Sequence, residues 1–162
     1  MAISFAGLGS FVEQATGNLT PGLPAGWQVG DLWLCAVTSR GNPPWPGTGG
    51  VGWSLIATPS FGGDPHYTRL FYRRAQAGDT APVGEFDGNS CARIAGFRGV
   101  IKTGTPYEGL MSGSDTTADT TLGPTAGVTV TKSGTLIVIV AGGGGDDVNP
   151  RRSGETMTGV TA

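Results

Sequence analysis

No window of eleven or more residues in this chain keeps an apolar i, i+3, i+4 pattern free of glycine or proline. That single feature removes most architectures. An amphipathic helix needs about three turns to bury a useful stripe, and thirty glycines and eleven prolines interrupt the chain before three turns accumulate. What survives is a series of short apolar runs bounded by Gly, Pro, Asp and Asn, the pattern of an all-β sandwich or barrel. Similar punctuation marks some disordered chains, but 38% hydrophobic residues, four of them tryptophan, ask for a packed core.

The chain is organised around Gly30–Val37, a Gly-Asp turn followed by an apolar run. Alternation places Leu32, Leu34 and Ala36 on one face and Trp33, Cys35 and Val37 on the other. Both faces are apolar, so this strand is central and covered on both sides, or its outer face meets another subunit. A second version, Ser133–Ala141, follows about a hundred residues later. The expected fold is an antiparallel, jelly-roll-like β-sandwich with long Gly/Pro-rich loops. It forms a single domain over 1–162 in two related halves, 1–101 and 102–162.

Between these runs the strands are Ile3–Ala6, a short piece from Phe11, Trp53–Thr58, Tyr67–Ala75, one opening at Glu85, Ser90–Val100 and Gly127–Thr131. Residues 16–26 and 41–52 read as loops; three prolines in the latter forbid a ladder. The first apolar run is followed by three more strands, whereas the second has room for at most one. Leu136–Val140 therefore needs a partner that these residues do not plainly supply: either the polypeptide continues, or a neighbour covers the edge.

Charge and cysteine content exclude several functions. Ten basic and twelve acidic residues give a net charge of -2, unlike the footprint of a nucleic-acid binder. Cys35 and Cys91 are too few for a disulfide framework and read as two buried free thiols. The N-terminal residues carry no signal-peptide pattern, and no apolar run is long enough for a helical membrane span, so the protein is expected to fold in a cytoplasm.

Candidate chemistry is sparse. The one histidine, His66, follows Asp64, an arrangement that would suit a general base, but a surface-loop histidine is the simpler reading. Asp146, Asp147 and Asn149 could ligate calcium after a run of four glycines, but a surface loop is the simpler reading. No metal site, cofactor or catalytic activity is expected. The binding candidates are Trp45, alone on its Pro/Gly loop, with Tyr67 and Arg69. Alternation sets Arg69, Phe71 and Arg73 on one strand face, read as a solvated or subunit-facing surface.

Several of these segments together, Pro24–Trp27, Gly30–Leu34, Gly52–Ile56, Arg69–Arg73 and Phe97–Val100, resemble β-rich domains of minor tail and tail-fibre proteins of tailed bacteriophages. In those domains an "AGDLL" strand precedes "GWT", then "RLYYR" ending in "AGD", then "YRGV". Gly134–Val138 matches the second "GDLLV"-like segment. The Pro/Trp-rich loop 41–50 and the short second half depart from the pattern.

The resemblance implies a structural virion component made in the host cytoplasm, assembling with itself and with other virion proteins. Alternatives are a capsid-decoration or head-fibre protein, and an adhesion module that recognises host surface glycans through Trp45.

Overall fold

The computed structural model describes residues 2–40, 52–57, 66–86, 89–109, 129–140 and 158–161. Its ten strands are β1 (Ser4–Leu8), β2 (Val12–Gln14), β3 (Gly17–Leu19), β4 (Leu32–Arg40), β5 (Ser54–Ala57), β6 (His66–Arg74), β7 (Gly84–Phe86), β8 (Ser90–Arg98), β9 (Leu136–Ile139) and β10 (Thr158–Thr161). Among the described residues there is no helix.

The main sheet is open, antiparallel and ordered β1-β8-β4-β6-β5. The expectation of a central strand is met: β4 pairs along its whole length with β6 on one side and along most of it with β8 on the other. β1 and β2 are two pieces of one edge, both running along β8, and the Gly9 amide bonds the Ile94 carbonyl between them. The break falls there because Gly22 crosses close by: a Cβ on Gly9 would lie 1.8 Å from the Gly22 carbonyl oxygen.

Alternation along β4 sorts two cores. Trp33, Cys35 and Val37 share the first face with Phe71, Ile94 and Leu19. Leu32 and Leu34 share the second with Ala95 and Phe97, and there Leu136 and Val138 of β9 pack against them. Burial of such side chains stabilises by about 1.5–3 kcal/mol each, which makes a strand with two apolar faces the natural centre. The second face also carries a buried Thr38–Thr68 hydroxyl pair at 3.1 Å.

Both edges of the open sheet are blunted. β1 slips register between Phe5 and Gly7, and β5 slips between Leu55 and Ala57. A bulge on a short edge strand twists its free amides and carbonyls out of line and discourages further pairing.

Four expectations need correction. Leu136–Ile139 does find its partner within the sequence, since β10 pairs with β9 from Thr158↔Ile139 to Thr161↔Leu136. The loop expected over 16–26 contains β3, which pairs with β7. Thr129–Thr131, expected in a strand, is not in one; alternation alone cannot make a strand without a ladder to join. The Arg69-Phe71-Arg73 face points inward, with Phe71 only 2% exposed.

Neither cysteine is in a disulfide; Cys35 is buried and Cys91 half-buried. Register sets Cys91 opposite Thr38, so the two cysteines project to opposite faces of the sheet. Burial pushes the Cys35 thiol far above its ordinary range, leaving it an inert core side chain.

Candidate functional site

Three of the four tryptophans converge at one end of the first face. Trp33, at 1% exposure, is the floor. Trp27 meets it edge-to-face, with centroids 5.2 Å apart and planes at 83°. Trp53 lies at 6.4 Å and 30°, an offset stack. Trp27 and Trp53 are half-buried and keep part of their surface exposed.

The same tight turn occurs twice near this cluster, once directly after Trp27. Gln28-Val29-Gly30-Asp31 forms a tight turn in which the Asp31 amide donates to the Gln28 carbonyl (3.0 Å) and the Gln28 amide to Asp31 Oδ2 (2.8 Å). Gly30 supplies φ of 91°, a left-handed conformation that side chains resist. Gln76-Ala77-Gly78-Asp79 repeats it: Asp79 amide to Gln76 carbonyl at 3.3 Å, Gln76 amide to Asp79 Oδ2 at 2.7 Å, and Gly78 at φ 81°.

Each carboxylate then takes an arginine. Arg98, at the end of β8, donates Nε to Asp31 Oδ1 (2.9 Å) and Nη2 to Oδ2 (2.7 Å), and reaches the Gly26 carbonyl at 3.2 Å. Residues on both sides of Trp27 are thus tied to one ion pair. Arg73, near the end of β6, donates Nε to Asp79 Oδ2 at 3.3 Å and Nη2 to Oδ1. Its guanidinium overlies the turn that delivers Trp53: a Cβ on Gly52 would sit 3.1 Å from Arg73 Nη1.

The electrostatics follow from these partners. Hydrogen bonds from Arg98 hold the Asp31 carboxyl below its ordinary range, although burial pushes the other way. A looser relative of the turn precedes β9, with Gly134 at φ 78° and Thr135 where the first turn has aspartate. There the Thr135 hydroxyl donates to the Lys132 carbonyl at 2.9 Å, and Thr131 donates to Glu108, holding that carboxyl low.

Of the sequence-derived candidates, Tyr67 and Arg69 lie half-buried on the first face of β6, opposite Ser39 and Val37. Arg69 stands four residues from Arg73, about 13 Å along the strand. Trp45, Asp64, Asp146, Asp147 and Asn149 lie outside the described residues, as does the side chain of His66. Among the described residues, no group of three or more His, Cys, Asp or Glu converges as a metal site would require. The tryptophan cluster and its clamps escaped the sequence reading. Its one legible signal was the repeated tetrapeptide Gln-x-Gly-Asp.

No family model, no curated protein and no solved structure matches this chain.

Proposed function

We propose that this chain is a non-enzymatic structural module of a tailed-phage virion, acting in a minor tail, fibre or appendage through assembly with copies of itself and with other virion proteins. One observation carries the reading. The segments that resemble phage tail domains lie on the strands and clamps that build the main sheet. Gly30–Leu34 enters β4, Ser54–Ile56 lies on β5, Arg69–Arg73 on β6 and Phe97–Arg98 ends β8. The "AGD" after the "RLYYR"-like strand is the Asp79 clamp, and the arginine of Phe97–Val100 is the Arg98 that holds Asp31. The resemblance therefore follows residues with defined structural work, rather than turn composition in general.

The finer architecture belongs to the same proposal: β9, packed on the second face, and its ladder partner β10 begin the second sheet of a jelly-roll-like sandwich. Blunted edges favour association through faces and loops over edge-to-edge strand pairing.

Native mass spectrometry of the purified protein, paired with sedimentation velocity, tests the assembly step. A discrete homo-oligomer at micromolar concentration is expected. A folded, stable monomer at the same concentration overturns it.

A further inference from the structure

We infer that Glu108 is an acid-released latch that seats β9 on the second face of the main sheet. The segment 99–109 leaves β8 and reaches β6, where Tyr107 meets Tyr72 edge-to-face, with centroids 6.1 Å apart and planes at 76°. The next residue, Glu108, bonds across 23 and 27 residues of chain to the turn that delivers β9. Its Oε1 accepts from the Thr131 hydroxyl. Its Oε2 lies 3.3 Å from the Thr135 hydroxyl, which also donates to the Lys132 carbonyl at 2.9 Å. Immediately beyond, Leu136 and Val138 pack against the core of Leu32, Leu34, Ala95 and Phe97.

The latch matters because β9 has few other polar ties. It pairs with β10 and with no strand of the main sheet. Among the described residues, Glu108 makes the hydrogen bonds that join 129–140 to the segment leaving β8. Apolar packing holds β9 down but is non-directional, whereas a carboxylate gripping two hydroxyls fixes where the strand enters.

Glu108 is exposed, so protons reach it freely. The Thr131 hydroxyl chiefly, with Thr135 and the charge of Lys132, holds its carboxyl below the ordinary range, against desolvation. Tyr107 beside it and Tyr72 on β6 are the other titratable groups at this contact. A lowered folded value means that the latch is fully closed above the unfolded value of about 4.3 and released as pH falls through the folded one. Protonation then removes the charge assistance from both hydroxyl bonds. Local opening should therefore begin at β9, ahead of β4 and β8, whose ladder does not involve Glu108. The latch rests on the packing of β9 and not on the virion proposal; a folded monomer would leave it untouched.

Hydrogen exchange read by mass spectrometry on the 162-residue protein follows β9 and the main sheet separately. At neutral pH, Glu108→Gln should speed exchange of the β9 amides several-fold and leave those of β4 and β8 unchanged. Thr131→Val, which keeps the carboxylate and removes its chief donor, should do the same. In the unaltered protein, a pH series down through the carboxyl range, corrected for intrinsic exchange, should raise β9 exchange relative to β4. In Glu108→Gln that rise should be flat. The inference is overturned if Glu108→Gln leaves β9 exchange unchanged at neutral pH, or if β4 and β8 loosen equally. It is equally overturned if the acid rise at β9 persists in the variant.

Discussion

The turns Gln28–Asp31 and Gln76–Asp79 are nearly identical in sequence and in internal hydrogen bonding, yet their arginines come from very different distances. Asp31 is held by an arginine 67 residues away, on β8, whereas Asp79 is held by one only 6 residues away, on β6. The first clamp fastens the end of β8, the neighbour of β4 in the sheet, to the turn that enters β4. It also continues into the ladder, with the Ala75 amide bonding the Asp31 carbonyl at 2.8 Å and the Gly30 amide bonding the Ala75 carbonyl at the same distance. The second clamp closes a local loop and secures Gly52 beneath Arg73. A repeated local motif thus performs one long-range and one short-range task, and its partner decides which.

Asparagine substitutions should separate the two most clearly. Asp31→Asn weakens the charge-assisted hydrogen bonds that join the Gln28–Asp31 turn to β8, and should destabilise by about 2 kcal/mol in a urea titration. Asp79→Asn should cost roughly 1 kcal/mol, because Arg73 and Gln76 stay close in sequence whatever the carboxylate does. Equal losses would break the distinction between the turns.

The glycines should remove it. Gly30 and Gly78 have φ of 91° and 81°, and a Cβ at either position would meet nothing within 4 Å. Gly30→Ala and Gly78→Ala should therefore cost similar amounts, about 1–2 kcal/mol each, from backbone conformation alone. Melting temperatures that differ strongly would mean that the turns are not locally equivalent.

Titration should give the smallest effect, with a fixed sign. The Asp31 carboxyl is lowered in the folded protein, chiefly by Arg98, so its stabilisation is full above the unfolded carboxyl value of about 4. It is lost as pH falls through the lower folded value. Unfolding free energy measured across that acid window should decline in the unaltered protein and decline less in Asp31→Asn. A variant with an undiminished slope would assign the acid loss to other groups.

Much of this fold was legible beforehand. The alternation of Leu32–Val37 identified a central strand and assigned each side chain its face, because a pleated backbone fixes that choice residue by residue. The same rule sorted Tyr67–Arg73 correctly, but the Arg69-Phe71-Arg73 side, expected to be solvated or subunit-facing, packs on the first core while Leu70 and Tyr72 pack on the second. Nothing local says that a row of Arg, Phe and Arg turns toward the core; Phe71 decides it by packing with Cys35 across the ladder. β3 carries no apolar alternation and exists because β7 lies beside it.

The candidate site shows the same divide. Gln-x-Gly-Asp is readable as a turn, since glycine supplies the positive φ and aspartate the cap. That Arg98 closes one turn and Arg73 the other, and that three tryptophans from separate segments meet above them, depends on contacts between residues far apart in the chain. Sequence by itself determined the all-β character, the strand faces and the turns, which follow from steric limits and alternation within a few residues. Only the tertiary structure decided the strand order, the burial of Phe71 between its arginines, the partner of β9 and the tryptophan cluster, because each depends on which distant segment offers the complementary surface.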